Sequence, residues 1–360
     1  MESVFQMSFS MAKIRASVIG AGWYAAQNHI PALARRSDVI LDGVSRLGQE
    51  ELSKVKEHFG FAFSSEDFQE VLSRCPDVVI VASPHHLHYQ HARAALISGA
   101  HVLCEKPMTL DVGEAWDLVA LAKEHGRHLL IAHGYNYLPH VDQLTLKIAE
   151  GAIGTIEHAA VSFISATRDV FQGQAGLRQW ESALFRPDRS TWQDPGKGGG
   201  FAYGQLSHAL SLLFLLTGLA PTKISGSTFD RDGIDLANAA SLCLSNSAVA
   251  AISGAAAMPQ GNRALMRIYL AGSCGVVAAE FDRDFCEIRQ ASGRVERLGL
   301  SDGDWAYRCD GPVDALVDLA QNAGTNRSTS INGAQTVATI AALLQSSRQD
   351  GQVQTIRAHL

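Results

Sequence analysis

Apolar runs of strand length alternate with helix-like stretches along the first third of the chain. The runs that predict strands cover residues 14–19, 39–44, 77–82, 100–104 and 128–132. Apolar positions at helical spacing predict helices between them, at residues 49–59, 68–73, 88–98 and 112–125. This alternation predicts βαβ units, and near-continuous apolar strands fit a parallel sheet that is buried on both faces. Pro31 lies inside a further helical stretch, where we expect a kink or a late helix start.

The pattern changes after about residue 140, where strands predominate. A strand is predicted at 155–166, followed by a polar segment rich in Gly, Pro and Trp at 167–200 and a strongly apolar helix at 205–217. Further strands are predicted at 223–229, 237–244, 248–256, 264–271, 275–281, 284–290 and 294–298. Two helices are predicted to close the chain, at 311–322 and 331–347. Runs of strands at short spacing predict a largely antiparallel sheet in an α+β domain.

These two patterns predict two domains, which also suits a chain of 360 residues. We expect a loosely ordered tail at residues 1–10, an α/β domain with a parallel sheet at 11–137, and an α+β domain at 138–360. The predicted strands between about 223 and 298 lack obvious helices to cover both faces of their sheet. Because subunits commonly meet at an uncovered apolar face, we expect a homodimer or a larger homo-oligomer.

Composition and charge exclude several classes of protein. Hydrophobic residues make up 46% of the chain and charged residues 18%, the balance of a globular protein. A net charge of −6 argues against nucleic acid or an anionic membrane as the main partner. The richest apolar run, 210–219, is much shorter than the ~20 residues that span a bilayer. Because the N-terminus lacks an apolar signal region and the six cysteines form no C-x-x-C pair, we expect a cytoplasmic protein with reduced thiols.

A glycine-rich loop follows the first predicted strand. It reads Gly20-Ala21-Gly22-Trp23-Tyr24-Ala25, a G-x-G-x-x-A pattern. The first glycine permits a tight turn, the second lets a pyrophosphate approach the backbone, and the small last residue lets helix and strand pack closely. The N-terminus of the following helix also favours the phosphate charge. Within a βαβ unit this loop predicts a dinucleotide site, to which we assign Gly20, Gly22, Trp23, Tyr24 and Ala25.

The end of the second strand bears on which dinucleotide binds. NAD-specific sites usually carry an acid there for the ribose 2′-hydroxyl, whereas a small polar residue with an arginine can accept a 2′-phosphate. This chain has Ser45 and Arg46, and Asp42 falls too early in the strand. We therefore expect NADP(H) to be favoured, with NAD(H) as the alternative. The competing interpretation makes Arg46 an ordinary solvated surface charge.

Two more polar segments follow strands of the first domain, where ligands of open α/β sheets bind. Ser83, Pro84 and His85 open a histidine-rich loop that we expect at the edge of the cofactor site. The histidines of this loop do not predict a metal site, because no Cys, Asp or Glu joins them at a suitable spacing. Lys106 follows the strand at 100–104, where it can donate to a substrate hydroxyl.

The polar segment at 167–200, within the second predicted domain, carries further candidate site residues. Trp192 and Gln193 precede a glycine run at 198–200, which lets other groups approach the backbone closely and suggests the wall of a cleft. His208 lies on the apolar helix that follows. A lone histidine on such a helix is more often a core residue, so His208 has both interpretations.

Taken together, these segments resemble the glucose–fructose oxidoreductase / inositol dehydrogenase family, often called Gfo/Idh/MocA. The resemblance extends over nearly the whole chain from Lys13. The segments that carry it are GAGWYA at 20–25, DVVIVASP at 77–84 with His88, CEKP at 104–107, HGYNY at 133–137, EGAIGTI at 150–156, WQDP at 192–195 and GGG at 198–200 with His208.

The resemblance implies a Rossmann domain followed by a domain with a large open antiparallel sheet, which in the family commonly forms homodimers or homotetramers. It implies that Ser83, Pro84, His88 and Glu105 line the nicotinamide side of the cofactor site. Lys106 would contact cofactor and substrate. It would place Asn136, Trp192 and His208 on the substrate side, with Asn136 also near the cofactor. We take Gln193 and Tyr203, which are next to these segments, as further candidates for the substrate side.

The chain departs from the family pattern on the helix that carries His208. The family's usual segment reads GGG-x-x-x-D-x-G-x-H-x-x-D, but here Gly204 stands at the first Asp, Leu206 at the Gly and Ser211 at the last Asp. Gln193 stands where an arginine is usual. Lys106 and His208 are therefore the minimal catalytic pair that the sequence predicts, and what replaces the acid at 204 is open.

The function that follows is reversible hydride transfer between a nicotinamide and a hydroxyl-bearing carbon of a sugar, polyol or sugar derivative. His208 would act as general base and Lys106 would stabilise the developing alkoxide. Two alternatives stay open: a non-catalytic NAD(P)-binding regulator of the same fold, and an enzyme that cleaves glycosides with the help of a redox step. Neither nucleic acid nor a membrane is an expected partner.

Overall fold

The computed structural model describes residues 12–173, 184–186, 190–301, 303–304 and 306–357. Within these residues, two sheets dominate the structure, one in each predicted domain. The parallel sheet comes first and the larger sheet follows, as the hydrophobic pattern predicts. The predicted tail at 1–10 and the middle of the 167–200 segment lie outside the described residues.

The first sheet has six described strands, paired in parallel in the order β3-β2-β1-β4-β5-β6. Their bounds are β1 (Ile14–Ile19), β2 (Val39–Ser45), β3 (Phe63–Ser65), β4 (Val78–Val81), β5 (His101–Cys104) and β6 (Leu129–Ile131). The five predicted strands are confirmed, whereas β3 was missed because three residues give no periodic signal. Since the strand order reverses between β1 and β4, their carboxyl ends form the crevice in which such sheets bind ligands.

The helices of the first domain follow the predicted stretches closely. They are α1 (Ile30–Ala34), α2 (Gln49–Phe59), α3 (Phe68–Leu72), α4 (His88–Ile97) and α5 (Val112–Glu124). The backbone is helical without a break from residue 23, through a π-helical turn at Ala25–His29, into α1, so Pro31 lies inside a helix. The expected late helix start at Pro31 is therefore wrong. The irregularity next to Pro31 is the π-helical turn, which changes the hydrogen-bond register ahead of a residue that has no N–H to donate.

The second sheet has nine described strands in the order β14-β13-β12-β11-β7-β10-β9-β8-β15. Their bounds are β7 (Ile156–Ile164), β8 (Pro221–Arg231), β9 (Ile234–Leu244), β10 (Val249–Ala255), β11 (Leu265–Gly272), β12 (Gly275–Glu280), β13 (Phe285–Gln290), β14 (Val295–Arg297) and β15 (Gln354–Thr355). The β7–β10 pair is parallel and the other described pairs are antiparallel. The predicted open, mostly antiparallel sheet is thus confirmed.

Helices and short turns complete the second part of the chain. The helices are α6 (Pro139–Ala149), α7 (Arg168–Phe171), α8 (Ser190–Gln193), α9 (Ser207–Thr217), α10 (Gly311–Ala320) and α11 (Ser330–Arg348). A π-helical turn at Ala202–Leu206 leads into α9, and 3₁₀ turns lie at Pro195–Lys197 and Phe281–Arg283. Two further 3₁₀ turns, at His85–Leu87 and Gly134–Tyr137, belong to the first part of the chain. The sequence analysis missed α6, although it carries a buried apolar face.

The two closing helices pack against the first sheet. Val313 and Leu316 of α10 share a core cluster with Val18 of β1, on one face of that sheet. On the opposite face, Ala334 and Val337 of α11 join the cluster that surrounds β5 and β6. The two predicted domains are therefore joined by the C-terminal segment as well as by the chain between β6 and α6.

One face of the second sheet is covered and the other is open. Inward-facing side chains of β7, β10, β11 and β12 form a core cluster with α9. On the outward face, large apolar side chains are 38–56% exposed; they are Phe229, Val249, Tyr269, Val276 and Val295. No helix in the described part of the chain has both the length and the apolar character needed to cross a membrane.

Candidate active site

A cleft of about 970 Å³ opens at the carboxyl ends of the first sheet's strands and extends toward β7 and α9. Its walls come from both parts of the chain, so the glycine loop after β1 and the start of α9 face one cavity. A volume of this size is typical of sites for cofactors and small molecules.

The two glycines of the loop after β1 are required for different reasons, one for the backbone turn and one for open space in the cleft. Gly20 has a φ of +82° and packs so closely on Ser83 that a Cβ would collide with the backbone there. A Cβ on Gly22 would meet only the carbonyl oxygen of Gly20, at 3.9 Å, and Gly22 lines the cleft. The space beside Gly22 is therefore open, which fits a pyrophosphate held against the backbone at this loop.

Ser45, Arg46 and Glu66 lie together on the wall near the end of β2. The Arg46 guanidinium donates to the carbonyl oxygens of Ala21 (3.2 Å) and Leu47 (3.3 Å), and it stacks 4.1 Å from the centre of the Phe185 ring. Glu66 follows β3, and its carboxylate accepts the Gly48 amide at 2.5 Å. Arg186 follows Phe185 and lines the same cleft, and Glu51 lies close enough to Arg46 for its charge to act on the guanidinium. The described part of this wall therefore carries two arginines and the Glu66 carboxylate, and the sequence analysis had missed Arg186 and Glu66.

The loop after β4 is tied to neighbouring segments by histidines. His88 lies between two backbone carbonyls, with Nε2 at 2.8 Å from Ser83 O and Nδ1 at 2.7 Å from Pro107 O. His91 Nδ1 lies 2.9 Å from the Ser83 hydroxyl, and His85 Nδ1 lies 3.3 Å from Gly198 O. Each of these three histidines has a hydrogen-bond partner within the protein, so the loop is held in place along the cleft wall.

Glu105 is a buried carboxylate beside the site. His29 Nε2 lies 2.8 Å from its Oε1, and the Lys106 amide donates to its Oε2 at 3.0 Å. Burial opposes the charge of Glu105, but the hydrogen bond from His29 and the cations nearby hold its pKa below the usual range. The pair therefore fixes the backbone that carries Lys106.

Lys106 reaches the cleft from the end of β5 and is 8% exposed. Its ammonium donates to the backbone carbonyl of Gly204 at 2.6 Å. Burial lowers the pKa of Lys106, and the nearby charge of Glu105 opposes that shift. A buried ammonium at a cleft wall can donate to a substrate oxygen.

His208 lies on the first turn of α9, where it lines the cleft and is 6% exposed. Its ring stands edge-on among four other rings, at centroid distances of 5.1–6.1 Å; they belong to His133, Tyr135, Phe163 and Tyr307. Burial, helped by the charge of Lys106, holds the pKa of His208 well below 6.5. The imidazole is therefore neutral at pH 7, and the same burial makes it a weaker base than a solvated histidine.

Most of the sequence-predicted site residues line this one cleft. They are Gly20, Gly22, Trp23, Tyr24, Ser45, Arg46, Ser83, Pro84, His85, His88, Glu105, Lys106, Trp192 and His208. The structure thus brings together segments that are up to about 190 residues apart in the chain.

Four predicted site residues do not line the cleft. Ala25 is buried under the glycine loop, where a small residue lets the turn pack on β1. Asn136 is fully buried, and its amide nitrogen donates to the Ser211 hydroxyl and to groups of residues 327–328. Tyr203 donates its hydroxyl to the Leu110 carbonyl, and Gln193 packs on Gly173. The structure gives these side chains packing or hydrogen-bonding contacts within the protein.

Several lining residues were missed by the sequence analysis. Among them are Glu66, Phe68, His91, Tyr135, Phe163, Ser165, Thr167, Val170, Phe171, Phe185, Arg186, Gln205 and Tyr307. Tyr135 lies inside the HGYNY segment, and Ser165 lies near the end of the strand predicted at 155–166, so a signal existed for both. Tyr307 lies far along the chain and carries no local signal. Among the described residues, no three His, Cys, Asp or Glu side chains are grouped so as to hold a metal ion.

Curated relatives match this chain over part of their length. A D-glucoside 3-dehydrogenase of Escherichia coli is 32% identical over 152 residues, 41% of this chain and 43% of that protein. A scyllo-inositol 2-dehydrogenase (NADP(+)) of Bacillus subtilis is 29% identical over 174 residues, 48% of this chain and 52% of that protein. The matched part thus spans about half the length of these relatives.

Solved structures share the fold over almost the whole chain. A levoglucosan dehydrogenase in complex with NADH and levoglucosan has a TM-score of 0.79 at 18% identity, covering 96% of this chain and all of that one. Family models match both halves: the "Oxidoreductase family, NAD-binding Rossmann fold" model at residues 14–133 and the "GFO/IDH/MocA C-terminal domain" model at 141–278. Because these two models together cover well over half of the residues in their expected order, the chain belongs to the GFO/IDH/MocA oxidoreductase family.

Proposed function

We propose that this protein is an NAD(P)-dependent dehydrogenase that interconverts a hydroxyl-bearing carbon and a carbonyl in a sugar, polyol or sugar derivative. The observation that carries the proposal is the meeting of Lys106 and His208 in the cleft that also holds the glycine loop at 20–25. The matched glucoside and inositol dehydrogenases support the substrate class. The aromatic rings of Phe163, Phe171 and Trp192 offer apolar surface to the hydrocarbon face of a sugar ring.

The nicotinamide, when bound, supplies the hydride acceptor or donor, and the protein's own groups manage the proton and the charge. In the oxidation direction, neutral His208 takes the proton of the substrate hydroxyl. The Lys106 ammonium stabilises the negative charge that develops on that oxygen. In the reverse direction His208 returns the proton, so the same two groups serve both directions.

We also propose that the cofactor preference is for NADP(H). Arg46 lies on the cleft wall next to Ser45, and its stacking on Phe185 holds the guanidinium in place without consuming its charge. A 2′-phosphate at this wall would gain a charge-assisted contact to Arg46. Arg186 in the same cleft adds a second cation, whereas Glu66 and the nearby Glu51 oppose that phosphate, so the preference depends on the balance between these arginines and carboxylates.

The open face of the second sheet supports a homodimer or larger homo-oligomer. Its exposed large apolar side chains stand on five strands of one continuous sheet, from Phe229 on β8 to Val295 on β14. Exposed apolar surface of this extent costs free energy in water and is typical of subunit contacts. A second copy would bring the same surface, as a two-fold interface requires.

The proposed function is tested with a panel of sugars, polyols and sugar acids, each offered with NAD(P)+, and the matching ketones with NAD(P)H. Absorbance of the reduced nicotinamide reports net turnover, and product analysis distinguishes oxidation from bond cleavage. We expect at least one secondary alcohol to be oxidised, with loss of that activity in both Lys106→Ala and His208→Ala. Dinucleotide binding without turnover of any panel member would point instead to a regulator, and glycoside cleavage without net oxidation to the redox-assisted hydrolase.

A further inference from the structure

The Lys106 ammonium is buried in a way that leaves its charge without an opposing salt bridge. No carboxylate of the described residues lies within 4.0 Å of it, although it is 8% exposed. The adjacent Glu105 directs its two oxygens to His29 and to the backbone amide of Lys106. The acceptor that Lys106 Nζ finds is the backbone carbonyl of Gly204, at 2.6 Å. Charges buried in this manner usually have an ionised partner, so a neutral acceptor calls for an explanation.

A local irregularity of the backbone lets the Gly204 carbonyl accept the hydrogen bond from Lys106 Nζ. Gly204 lies in the π-helical turn Ala202–Leu206, directly before α9. Such turns change the register of a helix and recur at functional sites. Here the turn puts the carbonyl of Gly204 against Lys106, one turn before His208.

The missing side chain of Gly204 has its own consequence. A Cβ at this position would lie 2.9 Å from one ring carbon of Phe171, closer than real contacts allow, and 3.1 Å from a second, which is a tight contact. The Phe171 ring, 1% exposed, therefore occupies the space into which a residue-204 side chain would grow. Tyr203 does not take the place of an acid here, because it donates its hydroxyl to Leu110 O and sits outside the cleft lining. Gln205, the other neighbour, lines the cleft but carries no charge.

We propose that Gly204 is a positioning residue for the reaction: its backbone carbonyl holds the Lys106 ammonium at the cleft, while its lack of a side chain admits the Phe171 ring. The inference rests on the proposed dehydrogenase function. It assigns to a backbone carbonyl the task that a carboxylate could otherwise perform. Because the carbonyl carries no net charge, the full positive charge of Lys106 stays available to the substrate oxygen.

The consequence is electrostatic and therefore measurable. Burial already lowers the pKa of Lys106, and a neutral carbonyl opposes that shift far less than a carboxylate would. A carboxylate placed at residue 204 would raise the pKa of Lys106 by about 1–3 units. The basic limb of the kcat/KM profile, where Lys106 loses its proton, would move up by the same amount.

The test needs Phe171→Ala as a background, since a larger residue 204 would meet the ring. In that background, Gly204→Asp is compared with its uncharged match Gly204→Asn and with Phe171→Ala alone. We expect the basic limb to rise by about 1–3 pH units in the Asp variant and to stay within about half a unit in the Asn variant. Dissociation constants for NAD(P)+ and NAD(P)H, measured by fluorescence titration, give a second readout. The Asp variant should bind the positively charged oxidised nicotinamide several-fold more tightly relative to the reduced form.

A stability cycle tests the steric half of the inference without any catalysis. Gly204→Ala alone should lower Tm, and Gly204→Ala with Phe171→Ala should cost less than the sum of the two single changes. Identical pH limbs and binding ratios in the Asp and Asn variants, or strictly additive Tm changes in the cycle, would overturn the assignment. If the wild type oxidises no member of the substrate panel, the proposed function fails, while the binding ratio and the stability cycle still decide the role of Gly204.

Discussion

Replacing His208 with alanine separates a general base from a core histidine. The imidazole lines the cleft beside Lys106 and is neutral at pH 7, since burial holds its pKa well below 6.5. Loss of a general base usually slows turnover by about 10²–10⁴-fold, which corresponds to about 2.7–5.5 kcal/mol of transition-state stabilisation. We therefore expect kcat of His208→Ala to fall by that factor, while the dissociation constant for NAD(P)H changes little.

The variant also removes a ring from a packed site. His208 stands among four aromatic or imidazole rings, so truncation leaves a cavity that should cost about 3 kcal/mol of folding free energy. His140 supplies a matched control, because it is 2% exposed, packs 5.0 Å from the Phe281 ring and lies outside the cleft lining. Burial lowers the pKa of His140 to about 4, so it too is a neutral buried imidazole. His140→Ala should lose stability without losing turnover.

The pH dependence of kcat/KM in the wild type should reflect the lowered pKa values of both His208 and Lys106. His208 is an active base only above its own pKa, which burial depresses, so the acidic limb of kcat/KM should lie well below pH 6.5. Lys106 is an active cation only below its pKa, also depressed by burial, so the basic limb should lie below pH 10.5. Steady-state rates in buffers of constant ionic strength, with urea unfolding of each variant, provide the measurement. Near-normal turnover of His208→Ala at all pH values would make His208 a core residue and refute the assigned role.

Three further predictions concern the cofactor site and the sheet. Arg46→Ala should weaken NADP(H) binding at least tenfold with little effect on NAD(H), and Glu66→Gln should strengthen NADP(H) binding; calorimetry that found equal losses for both dinucleotides would contradict this. Gly20→Ala should destabilise the fold, because φ is +82° and Ser83 blocks a Cβ, whereas Gly22→Ala should keep Tm and weaken dinucleotide binding; matching effects on Tm would be the contrary result. Light scattering at micromolar concentration should give a dimer or larger, and Val276→Lys with Tyr269→Lys on the open sheet face should shift it to the monomer; a wild-type monomer would rule the interface out.

The first half of the fold could be predicted from local pattern because β1, β4, β5 and β6 are largely buried on both faces, and the longer connecting helices each have a buried and an exposed side. The predicted strand at 14–19 and helix at 49–59 match β1 and α2 residue for residue. Errors fall where the local signal is short or misleading: β3 has three residues, and α6 follows directly on the strand-and-turn pattern of β6. The wider sheet was also visible, since its strands alternate between a buried face and an open one.

The sequence by itself determined the glycine loop, the Ser45-Arg46 pair, the lysine after β5 and the histidine of α9, because residue types at strand ends and loop spacings carry that chemistry. Only the tertiary structure decided which of these groups share a cleft, and it set Asn136, Gln193 and Tyr203 outside its lining. It also placed Glu66 and Tyr307 in the cleft lining, although no sequence motif marks either residue as part of a site. The physical reason is that packing, charge and burial act between segments far apart in sequence. The contact of Lys106 with the carbonyl of Gly204, which spans 98 positions and involves no side chain at 204, is of the kind that no local pattern can reveal.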